Sequence, residues 1–301
     1  MHTLDAQETE AALPFERLVP ALREAFAKGA MVPTRHHHAV EQLDGPAATL
    51  LLMPAWQDRY LGIKLVTVHP ANPGRGLPAV HALYLLSDSG TGQPVALLDG
   101  GVLTARRTAA ASALAAGYLA RRDAASLLLV GAGRVASLIP AAMRTVRPIR
   151  RVRVWNRSRG RAKDLVQTLQ AQGFDAALAD ALDAEVRQAD VVSCATVSSE
   201  PLVRGAWLRP GTHLDLVGAF TPSMREADED AVSRAAVYAD TEAALHECGE
   251  LAGLEPAGLR GTLETLSRGT APGRLDAAEV TLFKSVGTAL EDLAGAALAV
   301  G

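Results

Sequence analysis

A short apolar run, Ser126-Leu127-Leu128-Leu129-Val130, leads straight into Gly131-Ala132-Gly133-Arg134-Val135-Ala136. Few features of this chain constrain its fold as much. The run reads as a strand buried on both faces, and residues 135–145 after it have helical spacing. Between them, Gly131 permits a tight turn, Gly133 lets a ligand approach the backbone, and Ala136 lets helix and strand pack closely. The unpaired N–H groups of the helix N-terminus then face the turn, where a phosphate is favoured. A glycine turn alone is weak evidence for a ligand. Here the strand before it and the helix after it supply the context the motif needs.

The alternation continues. Residues 152–155 read as the next strand, 162–172 as a helix, and 189–193 and 213–217 as further strands. Strands alternating with helices at this spacing imply βαβ units and a parallel, doubly wound sheet of Rossmann type. The chain before this region follows another pattern. A helix over 14–28 precedes β-rich runs at 47–53, 61–68, 79–87 and 94–98, which read as an antiparallel meander, and an alanine-rich helix follows over 103–119. Residues 277–300 read as one long helix that packs back on the first domain. With 301 residues, two domains are expected: an α+β domain from 1–118 and 276–301, and a dinucleotide-binding domain from 119–275.

Charge and cysteine usage exclude several classes. A formal charge of −3 offers no general attraction to nucleic acid or to an anionic membrane. Cys194 and Cys248 lack metal-ligand spacing and suit a reducing compartment. The first ten residues are polar and acidic rather than signal-like, and no apolar run approaches the roughly 18 to 20 residues of a membrane span. A cytoplasmic protein is expected. His36-His37-His38 resembles a metal tract, but neighbouring side chains of an extended segment point to opposite faces, so no metal is expected.

The end of the second strand bears on the cofactor. A dinucleotide enzyme that takes NADH usually carries an acid there for the ribose 2′-OH. This chain has Asn156-Arg157-Ser158-Arg159. Asn156 and Ser158 can hydrogen-bond a 2′-phosphate, and Arg157 or Arg159 can neutralise it, so NADPH is favoured over NADH. With Gly131, Ala132, Gly133, Arg134 and Val135, these residues form the expected cofactor site. Thr196 joins them, because its strand end faces the nicotinamide side of such a sheet. Cys194, two residues earlier, is expected to pack in the core. Asp228-Glu229-Asp230 reads as a solvated helix start. In the first domain, Arg35 follows a proline turn, Lys64 sits within an apolar strand where an unpaired cation is costly, and Arg107 lies in an otherwise small and apolar helix. Together they suggest a pocket for a carboxylate.

These residues carry a resemblance. Gly62-Ile63-Lys64, His69-Pro70-Ala71-Asn72, Gly76-Leu77-Pro78, Leu103-Thr104 through Arg107-Thr108-Ala109-Ala110, and Phe283-Lys284-Ser285-Val286-Gly287 resemble the ornithine cyclodeaminase/mu-crystallin family. The match runs over nearly the whole chain, in order, with the glycine turn in its place. The resemblance implies a homodimer whose substrate and dimerisation domain is the α+β one, a substrate carboxylate held by Arg35, Lys64 and Arg107, and Thr108 and Ser285 near the cofactor.

One departure matters. Ornithine cyclodeaminases and the alanine dehydrogenase branch carry a catalytic aspartate where this chain has Phe220, in Phe220-Thr221-Pro222-Ser223-Met224-Arg225-Glu226. An apolar ring cannot act as general acid or base. Reducing a preformed imine is less demanding, and the stretch is similar to Δ1-pyrroline-2-carboxylate reductases. The resemblance therefore implies NADPH-dependent reduction of a small cyclic imino acid, with Lys64 as the candidate proton donor. The competing expectations are ornithine cyclodeamination and a non-enzymatic NADPH-binding and ligand-binding role.

Overall fold

The computed structural model describes residues 1–42 and 45–301. Contacts divide the chain into two units, Met1–Arg107 with Thr288–Gly301, and Thr108–Gly287. One boundary falls inside a long helix. The other falls just before the C-terminal helix, so the expected divisions at 118/119 and 275/276 both fall inside the second unit.

The first unit opens with β1 (His2–Leu4) and α1 (Ala6–Ala12). Asp5 caps α1, accepting from the Glu8 N–H while the Glu8 side chain accepts from the Asp5 N–H. In α2 (Phe15–Lys28), Leu18, Leu22, Ala25 and Phe26 are buried, as their helical spacing predicts. β2 (His36–Val40), β3 (Ala48–Gln57), β4 (Tyr60–Val68), β5 (Val80–Asp88) and β6 (Pro94–Asp99) then form the antiparallel meander. β1 adds to β6 in parallel, a pairing with no local signal, and the order is β1-β6-β5-β4-β3-β2. α3 (Gly100–Leu119) follows and carries the division between the units.

Alternation gives this sheet two faces. Met53, Lys64, Tyr84 and Leu98 are partners in one cross-strand row, and all four are buried. The C-terminal helix, Ala289–Val300, packs on β3, β4 and β5 and on α2. The next row, Leu52, Leu65 and Leu83, belongs to the opposite face, where Leu65 and Leu83 are exposed.

The second unit is an α/β domain around a parallel sheet of eight strands. These are β7 (Ser126–Val130), β8 (Arg151–Trp155), β9 (Asp175–Leu178), β10 (Val191–Cys194), β11 (His213–Leu216), β12 (Ala236–Ala239), β13 (Leu259–Thr262) and β14 (Thr281–Lys284), in the order β13-β12-β14-β11-β10-β7-β8-β9. α4 (Arg134–Arg144) follows β7, and α5 (Arg159–Ala171) follows β8. β7 has β8 on one side and β10 on the other, so the strand order reverses there. That reversal is the topological switch point at which doubly wound sheets bind ligands. Asp228 caps the short helix Glu229–Arg234 by accepting from the Ala231 N–H, as the acidic run suggests.

The expected helix over 277–300 is corrected. Thr281–Lys284 is a strand, β14, between β11 and β12, and only Ala289–Val300 is helical. All four residues of β14 are buried, and a strand covered on both faces has no period-2 pattern to distinguish it from an apolar helix. Among the described residues, no helix is long and apolar enough to cross a membrane.

Candidate active site

The cofactor cradle is built by the turn between β7 and α4. Gly131 has φ +121°, a conformation L side chains rarely adopt, and a Cβ there would lie 2.6 Å from the Ala195 carbonyl oxygen. The turn therefore packs against the end of β10. Gly133 is the N-cap of α4, and no side chain caps that helix. A Cβ added at Gly133 would meet nothing within 4 Å. Ala132 to Val135 thus border open space over uncapped helical N–H groups, which fits the pyrophosphate of a nicotinamide dinucleotide. Ala136 is buried and lets α4 lie close to β7.

At the end of β8, the Asn156 side-chain amide donates to the Ser158 carbonyl at 2.9 Å and shapes the loop. Ser158 is the N-cap of α5, but its hydroxyl does not cap the helix. Arg157 and Arg159 are exposed, and Arg159 pairs with Asp180 at 2.7 Å. That acid was not foreseen. It leaves Arg157 as the arginine of this loop without an ion-pair partner among the described residues.

Two other expected cofactor residues have their hydroxyls engaged within the fold. Thr196 donates from both its N–H and its hydroxyl to Glu226. Ser285 donates to Asp240 at 3.0 Å, and the same carboxylate oxygen accepts from the Val286 and Gly287 amides. Thr108 is buried on α3. Phe220 is 53% exposed beyond β11. Cys194 is fully buried, and burial pushes its thiol well above the ordinary range, so it packs as a core residue.

The basic residues of the first unit form a more definite constellation. Lys64 Nζ lies 2.6 Å from Asp292 Oδ2. Arg107 donates from Nε to Asp292 Oδ1 at 2.9 Å and from a terminal nitrogen to Glu291 Oε2 at 2.5 Å. Lys64 and Arg107 are almost wholly buried, and Glu291 and Asp292 are completely so. Two cations and two anions make a formally neutral cluster. Arg35 immediately precedes β2, outside its ladder with β3, and is partly buried.

Burial is the largest influence on Lys64, Arg107 and Asp292. It lowers the Lys64 pKa to about 8, with Asp292 opposing and Arg107 reinforcing the shift. For Arg107, burial works in the same direction, but Asp292 and Glu291 outweigh it and hold the guanidinium charged. Asp292 resists burial through Arg107 and Lys64, and its carboxyl titrates below the usual range. The anion that Lys64 was expected to need is therefore supplied by the chain itself.

A model of the ornithine cyclodeaminase/mu-crystallin family matches residues 2–300. The chain belongs to that family. Δ1-Pyrroline-2-carboxylate reductase of Paracoccus denitrificans is 40% identical to it, over 90% of this chain and 88% of that protein. The structure of the Thermococcus litoralis Δ1-pyrroline-2-carboxylate reductase in complex with NADH and L-proline matches at TM-score 0.93 and 32% identity, covering 100% of this chain and 96% of that one. An archaeal alanine dehydrogenase dimer with bound NAD matches at TM-score 0.92 and 30% identity, covering 100% and 95%.

In this member of the ornithine cyclodeaminase/mu-crystallin family, reasoning from sequence missed Glu291, Asp292 and Glu226. Glu291 and Asp292 did leave a signal, because they are the only charged residues in the otherwise apolar segment Ala289–Val300. Buried acids in such a segment call for buried cations, and Lys64 and Arg107 were the available ones.

Proposed function

We propose that this chain reduces a small cyclic imino acid, Δ1-pyrroline-2-carboxylate or its six-membered homologue, to proline or pipecolate, with NADPH as the preferred cofactor. The observation that carries the reading is Phe220. It is half-exposed four residues past β11, the strand next to β10, against whose end the cofactor turn packs, and it offers no acid or base. Dehydrogenating an amine and expelling ammonia need such a group; reducing a C=N bond already formed does not. The similarity to Δ1-pyrroline-2-carboxylate reductases supports the same choice.

The bound nicotinamide would supply a hydride to the imine carbon. The pyrophosphate is held by Gly131, Ala132, Gly133, Arg134 and Val135, and the 2′-phosphate by Asn156, Arg157, Ser158 and Arg159, with Thr108, Thr196 and Ser285 at the nicotinamide end. In the substrate site, Asp292 takes one of the three Lys64 N–H donors, while Glu291 and Asp292 take two of the five on Arg107. The donors left over bind the substrate carboxylate together with Arg35. Lys64 keeps a proton at neutral pH but holds it less tightly than an exposed lysine. It is the group that gives the ring nitrogen its proton, making the imine carbon electrophilic.

The chain works as a homodimer. Leu65 and Leu83 are directly paired on the outer face of the six-stranded sheet, and Leu61 of the same strand is exposed as well. An exposed apolar face of this kind calls for a partner, and a second copy fits the dimeric alanine dehydrogenase relative. The first test is NADPH oxidation with Δ1-pyrroline-2-carboxylate, beside an NADH control and an ammonia assay with ornithine and NAD⁺. Oxidation without ammonia release is expected; ammonia release without imine reduction would reverse the assignment.

A further inference from the structure

Glu226 ends the 220–226 segment and is fully buried, yet the mechanism above leaves it without a role. Its two carboxylate oxygens serve two different strands. Oε1 accepts from the Thr196 N–H at 2.7 Å and from the Thr196 hydroxyl at 2.8 Å. Oε2 accepts from the Gly218 N–H at 2.8 Å and the Ala219 N–H at 3.3 Å. Thr196 lies two residues beyond β10 and Gly218 two residues beyond β11, and the two strands are parallel neighbours. Past the ladder, these N–H groups have no strand to bond, and one side chain satisfies them.

The clamp is itself held in place. The Glu226 N–H donates to Glu250 Oε1 at 2.8 Å, and Lys284 Nζ, on β14, lies 3.6 Å from Glu250 Oε2. There is no slack at the strand ends: a Cβ on Gly218 would lie 1.9 Å from the Thr196 carbonyl oxygen and 2.4 Å from Glu226 Oε1.

In a doubly wound sheet the ligand occupies the crevice beyond the carboxyl ends of the strands at the switch point. β10 borders that crevice, since Gly131 packs on Ala195. We propose that Glu226 is a positioning residue for the nicotinamide end of the cofactor site, setting the backbone of Thr196 and Gly218 on which the ring is seated. This rests on the nicotinamide-dependent reading above. The donor set requires a carboxylate in particular. All four groups facing Glu226 donate, and a glutamine amide would turn two N–H groups toward them whichever way it flipped. Glu226→Gln therefore keeps the shape of the side chain and breaks the clamp.

The test combines a readout on the cofactor-free protein with binding and turnover. Hydrogen exchange at the Thr196, Gly218 and Ala219 amides is expected to rise at least ~10-fold in Glu226→Gln, as satisfied buried amides become open ones. The Kd for NADPH should rise about tenfold, and kcat for imine reduction should fall about 100-fold, the cost of a misplacement near 1 Å, with KM for the imine changed far less. Wild-type exchange with kcat within about twofold would overturn the proposal, the threshold being well below the loss misplacement brings. If Glu226→Gln does not fold, Thr196→Val and Thr196→Ser take its place. Valine removes the hydroxyl donor to Glu226 and serine retains it, so exchange at the Gly218 and Ala219 amides should rise in the first and stay low in the second; equal exchange in both would overturn the proposal. A wild-type chain that binds NADPH but reduces no imine would sink the reaction assigned above, and the exchange and Kd readouts would still decide the role of Glu226.

Discussion

Lys64 is a buried ammonium on a strand, held by Asp292 at 2.6 Å and titrating near pH 8. If it donates the proton, kcat/KM for the imine is flat below about pH 8 and falls as pH rises through that value, and Lys64→Met loses this limb along with most of kcat. The stability linkage has the opposite sign. Between pH 8 and the unfolded lysine value of about 10.4, the unfolded chain binds more protons than the folded one, so this group adds stability as pH rises. An activity loss above pH 8 without thermal destabilisation separates the two. Arg107→Ala removes the buried guanidinium that pairs with Glu291 and Asp292, which should cost about 3–5 kcal/mol in urea denaturation as well as substrate affinity. A variant with unchanged stability would show that the cluster is not the buried ion pair described. At this scale the cations were legible in the sequence, because a lysine or arginine among small apolar residues stands out. Their partners were not, because Arg107 and Glu291 are 184 residues apart.

The elements that make the cofactor site could be read from local pattern, since an apolar strand, a glycine turn and a helix lie within about twenty consecutive residues. Arg157, with no acid beside it, is the arginine that should discriminate. Arg157→Ala is expected to raise the KM for NADPH about tenfold, one charge-assisted contact, and to leave that for NADH within twofold. Equal effects on both cofactors would move the 2′-phosphate site elsewhere. On β11, burial raises the Asp215 pKa to about 7, against the hydroxyl of Ser193 at 2.5 Å. Its folded value lies above its unfolded one, so its contribution is fully present below about pH 3.9 and is lost as pH rises through 7. Asp215→Asn, which keeps the shape without the charge, should therefore raise Tm at pH 8 and do so progressively less as pH falls toward about 4. A Tm at pH 8 below that of the wild type would show that the carboxylate is charged and needed. β12 and β14 escaped the sequence reading because four-residue strands buried in a sheet interior carry no alternation, β13 because a four-residue partly buried edge strand is too short to show one, and β14 was absorbed into the alanine-rich helix after it.

For the whole molecule, the outer face of the six-stranded sheet predicts the oligomer. Leu65→Glu places a charge opposite Leu83 in the centre of that face. The wild-type chain should sediment as a dimer at micromolar concentration, and the variant as a single chain with its secondary structure intact. A wild-type monomer would leave the apolar face without the partner assigned here.

What the sequence determined by itself is what neighbouring residues decide among themselves. These features are the turn at Gly131, the helices with apolar residues every three or four positions, and the strand-helix alternation that requires a parallel sheet. What only the tertiary structure decided is which distant groups share one buried space. Lys64 and Arg107 close on Glu291 and Asp292, and Glu226 fastens the ends of two strands whose residues lie 8 and 30 positions away from it. The physical reason is common to both. A buried charge or N–H must find a partner, but nothing in its own segment says which one, and the choice is made when the sheet and helices pack.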